Sequence, residues 1–206
     1  IRYMDYINLT DYYEKLENII ITGSFLEKGF KFRDIDIIII KDNKIENSKI
    51  QKEIEESIGI KAHIIKINNE EMKLGLETDP LYQMMLSKCV AKKRFIYKID
   101  KKINYKLLDL HLLHSKTMIE NFDILDGYEK YNLTRNLIAI YLYINGGKIT
   151  KELIDKKIIK ILKIESIDNI KNNILDKKSF LKNYKKIYEK TSAIILSNIK
   201  NDTKQK

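Results

Sequence analysis

Two isoleucine runs, Ile19-Ile20-Ile21 and Ile37-Ile38-Ile39-Ile40, restrict the folds open to this chain more than any other feature. Successive β-branched residues are stiff at χ1 and favour extended backbone. A run without polar alternation reads as a strand covered on both faces, so the sheet that holds it needs a layer on each side. Between the runs stand Gly23-Ser24 and, after a spacer of nine residues, Asp34-Ile35-Asp36.

Carboxylates one residue apart on a strand project from the same face, roughly 6 to 7 Å apart along the chain. They repel each other unless a cation sits between them, and an oxygen-only pair suits Mg²⁺, which completes its octahedron with phosphate oxygens and water. Gly23 and Ser24 supply a matching phosphate side, because glycine lets the backbone approach an anion and the serine hydroxyl can donate to it. A strand, a turn, a short helix or loop and a second strand bring the two halves together. Phe25 to Lys28 reads as the first turn of a helix whose N-terminal amides face the phosphate.

This pattern resembles the polymerase-beta-like nucleotidyltransferase superfamily. More narrowly, Gly23-Ser24-Phe25, Lys28-Gly29 and Phe32-Arg33-Asp34-Ile35-Asp36 resemble the minimal nucleotidyltransferase proteins of prokaryotes. The motif covers about twenty residues, and a looser match of element order extends to about residue 100. The resemblance implies an α/β (α+β) fold, with a small mixed sheet and flanking helices over residues 1–102 and an all-α helical bundle over 103–206. It implies transfer of a nucleoside monophosphate from a nucleoside triphosphate to an acceptor hydroxyl, with release of pyrophosphate. Gly23 and Ser24 then hold the outer phosphates, Asp34 and Asp36 ligate Mg²⁺ or Mn²⁺, and Lys28 or Arg33 neutralises charge on the leaving group. The acceptor can be a nucleic acid 3′ end, a small molecule or a protein side chain.

Active members of the superfamily carry a third carboxylate on the next strand. Here that segment reads Lys61-Ala62-His63-Ile64-Ile65, and His63 falls at the matching position. A histidine there can act as general base, ligate a metal, or sit at a sheet edge with no chemistry. Glu70, Glu71, Glu77 and Asp79 follow and can reach the site from a loop. Without a third acid, the alternative is a degenerate member that binds nucleotide, nucleic acid or a partner protein without catalysis. A basic helical nucleic-acid binder, with the first half as scaffold, is a third reading.

Length and composition agree with a globular protein: 206 residues, 44% of them hydrophobic, can bury a real core. No window approaches the eighteen or so apolar residues of a membrane span, and the first residues lack the order of a signal peptide. Cys89 is the single cysteine. It excludes an intramolecular disulfide and a cysteine-based zinc site, reads as a buried structural thiol, and fits a cytoplasmic location. The net charge of +10 allows a nucleic-acid partner. However, the Lys, Ile and Asn richness has the look of adenine- and thymine-biased codons, and clusters such as Lys92-Lys93-Arg94 read first as solvated faces.

Along the chain, residues 3–17 have helical spacing, Ser48 to Ile58 reads as a helix ended by Gly59, and Ile60 to Ile67 as a third strand. Asp79 is a plausible N-cap with Pro80 at the first helical position, followed by Leu81, Met84, Met85 and Cys89 on one face. Arg94 to Tyr97 reads as a last short strand. Beyond residue 102 the spacing is helical. Asp126-Gly127 breaks a first helix, Tyr131 to Ile144 forms a second stopped by Asn145-Gly146-Gly147, and Thr150 caps a third. Tyr141, Tyr143 and Arg135 are candidates for a cleft over the nucleotide, and His111 with His114 has metal-compatible spacing.

Overall fold

The computed structural model describes residues 18–26, 34–41 and 47–204. The expected helix over residues 3–17 lies outside them. The fold is α+β, with a four-stranded mixed sheet in the order β3-β2-β1-β4 and eight helices among the described residues. The strands are β1 (Asn18–Thr22), β2 (Asp34–Ile40), β3 (Lys61–Ile67) and β4 (Val90–Ala91). The helices are α1 (Asn47–Ile58), α2 (Asn69–Thr78), α3 (Pro80–Leu86), α4 (Tyr105–Glu120), α5 (Gly127–Ile144), α6 (Lys151–Leu162), α7 (Ile167–Lys171) and α8 (Lys177–Lys204). No described helix is long and apolar enough to cross a membrane.

Two compact units divide the chain: Ile1–Glu77 with Met85–Asp100, and Thr78–Met84 with Lys101–Lys206. In the first, β1 runs antiparallel to β2 and β4, while β2 runs parallel to β3. The isoleucine runs form the two central strands, and every residue of β1 is buried. Alternation sends Ile35, Ile37 and Ile39 to one face, where they pack with Ile19, Ile21, Ala62 and with Ile50 and Ile54 of α1. Each such side chain is worth about 1.5 to 3 kcal/mol of burial. Ile20, Ile38 and Ile40 are equally buried on the opposite face.

Among the described residues β3 is an edge strand. Its Ala62 N–H donates not to another strand but to Glu55 Oε1 of α1 at 2.9 Å, and Gln51 Nε2 donates to the same oxygen at 3.0 Å. These two hydrogen bonds, the backbone one foremost, lower the Glu55 carboxyl below its usual range.

Three local readings of the sequence need correction. The segment after Ile67 is helical rather than a loop: α2 opens on a reciprocal cap in which Glu71 N donates to Asn68 Oδ1 and Asn68 N to Glu71 Oε2, both at 2.8 Å. The last strand is Val90–Ala91 and not Arg94 to Tyr97. Asn18 is the reason: its side chain accepts from Lys93 N at 2.9 Å and donates to Lys93 O at 2.8 Å, taking the backbone groups that would continue the ladder. Cys89 lies beyond the end of α3 and so is not on its apolar face; it is half-buried, and burial pushes its thiol up.

The helical unit buries Leu108 and Leu112 of α4, Leu137, Ile138 and Tyr143 of α5, Ile154 and Ile158 of α6, and Phe180 and Tyr184 of α8 in one core. Tyr184 donates to Ser115 O at 2.8 Å, satisfying its hydroxyl inside that core. The helical run is interrupted between Glu120 and Gly127, and Asp126 ends the break by capping α5: its side chain accepts from Glu129 N at 2.8 Å, and the Glu129 side chain accepts from Asp126 N at 2.7 Å. Gly127 follows because α5 starts against backbone. A Cβ there would lie 2.7 Å from Ile170 O and 2.5 Å from Lys171 C. Thr150 caps α6 as its sequence suggests. Thr78–Met84 belongs to this unit through its own packing, with Met84 in the core and Asp79 facing His111.

Candidate active site

The pairing of strands determines what meets Asp34 and Asp36. β1 and β2 place Thr22 opposite Asp36, so the chain leaves the sheet at Gly23 directly beside the second carboxylate. Gly23 has φ +84°, a left-handed conformation that glycine adopts without cost. A Cβ at this position would overlap Asp36 Oδ2 and lie 3.1 Å from its Cγ. The turn and the carboxylate, separated in sequence, are thus in van der Waals contact. Leu26 N donates to Gly23 O at 3.3 Å and closes a short 3₁₀ turn over Ser24–Leu26. Within the described residues this turn replaces the expected α-helical start at Phe25.

β2 and β3 place Lys61 opposite Asp34 and His63 opposite Asp36. Directly opposed residues share a sheet face. His63 Nδ1 lies 3.4 Å from Asp36 Oδ1, with the imidazole 72% exposed and the carboxylate 33% exposed, so both are open to a ligand. Asp34 is exposed at the start of β2. Thr22 is buried, and its hydroxyl donates to Met85 O at 2.5 Å, which ties the end of β1 to the last turn of α3.

The structure therefore brings Gly23, Asp36 and His63 together, with Asp34 one pleat away and Ser24 in the adjoining turn. Lys28 and Arg33 lie outside the described residues. The later acids do not join the group. Glu70 and Glu71 are exposed on α2, Glu77 pairs with Lys73 at 3.8 Å, and Asp79 caps α3 through Leu81 N at 2.8 Å. His111 Nε2 lies 3.1 Å from Asp79 Oδ2, which engages it apart from His114. Tyr143 is wholly buried and donates to Lys102 O at 3.1 Å, so it is a core residue. Arg135 lies over Tyr131, 5.8 Å from its ring centroid.

Lys61 escaped the sequence reading, because only the β2–β3 register puts its cation opposite Asp34. Thr22 did too, although a buried hydroxyl just before a turn glycine is a weak signal for a side chain that anchors the turn.

Asp34 and Asp36 suit Mg²⁺ chemically, as two hard oxygen donors on one face. Among the described residues no group of three or more His, Cys, Asp or Glu is arranged to hold a metal ion. The donor set thus fits a cation that takes one or two protein carboxylates and draws its other ligands from phosphate and water, rather than one needing an all-protein cage. No family model, curated protein or solved structure matches this chain.

Proposed function

We propose that the chain is a metal-dependent nucleotidyltransferase of the polymerase-beta-like kind, moving a nucleoside monophosphate from a triphosphate to an acceptor hydroxyl. The acceptor oxygen forms a bond to the α-phosphorus as the bond to pyrophosphate breaks. The observation that carries this reading is the contact between Gly23 and Asp36. It joins a phosphate-tolerant turn to a metal-tolerant carboxylate pair at one end of the sheet. Bound Mg²⁺ supplies charge neutralisation at the triphosphate. Asp34 and Asp36 hold it, the Ser24 hydroxyl donates to a phosphate oxygen, and Gly23 leaves room for close approach. Asp36 orients His63 through Nδ1, leaving Nε2 to take the acceptor proton.

His63 also favours a second reading. It occupies the position facing Asp36 where a third acid would complete the site, so a protein that binds nucleotide without turnover has support in the same register. Incubation with labelled ATP, CTP, GTP or UTP, Mg²⁺ or Mn²⁺, and a pool of RNA, protein and small hydroxyl acceptors separates the two. Transfer of label that disappears in Asp34→Asn/Asp36→Asn supports the enzyme. Label transfer unchanged in that variant removes the site assignment, and nucleotide binding without pyrophosphate release selects the binder.

A further inference from the structure

The helical unit presents a second polar surface, which does not depend on the nucleotidyl reading. Its centre is Tyr141 of α5, half-buried, with part of the side chain packed on the helical core. Two lysines from different helices converge on its ring. Lys157 Nζ of α6 lies 6.0 Å from the ring centroid, and Lys190 Nζ of α8 lies 5.5 Å from it. Lys190 Nζ is also 3.5 Å from the Tyr141 hydroxyl. Both helices pack against α5, so the ring stands where the three meet.

Carboxylates do not balance these cations. Among the described residues neither Lys157 nor Lys190 takes part in an ion pair. Asp155, the acid that precedes Lys157 on α6, already accepts the Tyr131 hydroxyl at 2.9 Å. On α8, Lys177–Lys190 contains six lysines against one acid, Glu189. Glu189 adjoins Lys190 in sequence and so points about 100° around the helix from it. Lys182 and Lys186 precede Lys190 at four-residue steps, which puts all three on the same side of α8, one above another at a rise of about 6 Å. All three are exposed.

A row of lysines by itself fits any polyanion, but an aromatic ring between two amines narrows the choice. A duplex hides the faces of its bases in its own stack, whereas a single strand leaves them open to stack on a protein ring while the backbone runs along a basic track. Cations at 5.5 and 6.0 Å hold an exposed ring weakly, and each gains more from a phosphate, so an arriving base can take the ring as the amines move to its phosphates.

We infer that Tyr141, Lys157 and Lys190 form a docking site for single-stranded nucleic acid, with one base stacked on Tyr141 and the two lysines on the phosphates beside it. Lys186 and Lys182 continue the track along α8. The strand can be RNA or DNA, and the test separates these sources.

Fluorescence anisotropy of the full chain follows labelled RNA and DNA strands of about 12 nucleotides, a duplex of the same length, and a DNA strand of the same length built from abasic sugar phosphates. EDTA keeps the carboxylate pair of β2 from recruiting a divalent ion. Saturable binding of the single strands is expected, tighter than that of the duplex or the abasic strand, and the tighter of RNA and DNA identifies the source. Tyr141→Leu is expected to weaken binding of the base-bearing strands about tenfold and to leave the abasic strand bound as by the parent, which a misfolded variant cannot imitate. Tyr141→Phe, which keeps the ring, is expected to restore binding. Lys157→Gln and Lys190→Gln are each expected to reduce the slope of log affinity against log salt by about 0.7. No nucleoside triphosphate or metal enters this measurement, so its failure and that of the transferase reading are distinguishable. No saturable binding, a duplex or abasic strand bound as tightly as the single strands, or Tyr141→Leu binding them as the parent does overturns the proposal.

Discussion

Gly23 and Asp36 occupy adjoining space so closely that no side chain fits at position 23 without displacing the carboxylate. Gly59 gives the natural comparison, since its φ is +66° but nothing lies within 4 Å of an added Cβ. Gly59→Ala is expected to cost about 1 kcal/mol from backbone strain alone. Gly23→Ala is expected to cost more, about 2 to 3 kcal/mol, and to abolish nucleotide binding. Thermal melts of both variants, with a nucleotide titration of each, check this. Equal destabilisation with nucleotide binding retained would show that the close approach has no role.

The donor set of the sheet site predicts an order of binding. Two carboxylates hold Mg²⁺ weakly until phosphate oxygens complete its shell. Calorimetry is expected to find Mg²⁺ affinity low for the protein alone and raised by triphosphate, with Asp36→Asn losing the enhancement. Tight Mg²⁺ binding by the protein without nucleotide contradicts the proposed coordination.

At the start of α5, helix propensity and packing make opposite demands. Alanine is the better helix former, but at position 127 its Cβ would press on the backbone of Ile170 and Lys171, which cannot swing aside. Gly127→Ala is expected to destabilise by about 1 to 3 kcal/mol. Gly147→Ala meets Leu142 O at 3.1 Å and Leu142 Cδ2 at 3.3 Å, and is expected to change stability by less than about 1 kcal/mol. Urea denaturation of the two variants makes the comparison, and a stabilised Gly127→Ala would refute it.

Alkaline pH tests the helical core. Burial, and then the Asp79 charge, push the Tyr143 phenol up from 10.0 to about 12. A phenol raised on folding contributes stability that is complete below the unfolded value and is lost between pH 10 and 12. That loss is about 3 kcal/mol for this residue alone. Tyr131 and Tyr184 are raised in the same direction. Lys101 and Lys130 are lowered by burial, so their unfavourable charge is relieved as pH approaches 10.5 from below. Melting temperature is expected to hold or rise up to about pH 10 and then fall. Tyr143→Phe should be less stable at neutral pH, through its lost bond to Lys102 O, yet fall less steeply above pH 10.

Much of this fold is legible in single residues, where local chemistry and tertiary structure agree. The isoleucine runs become buried strands, Gly59 ends α1 with a left-handed φ, and Thr150 and Asp79 cap the helices that follow them. The failures come where a distant partner decides. Arg94 to Tyr97 has a strand-like composition, but Asn18, far earlier in the chain, takes the backbone groups of Lys93. In the site, Asp34, Asp36 and Gly23-Ser24 are visible as a motif. Their contact, and the opposition of His63 to Asp36 and Lys61 to Asp34, depend on register, which one strand cannot announce by itself.

Glu55 bears on how copies of this protein behave in concentrated solution. An outermost strand with outward amides is a template onto which another chain can add itself, and such growth ends in filaments. A carboxylate from the preceding helix already occupies the Ala62 amide, so an incoming strand must first displace a charged group. The guard depends on that charge, which acid removes. Glu55→Gln at neutral pH, or the parent protein below the Glu55 titration, should therefore lengthen into fibrils sooner than the parent at pH 7.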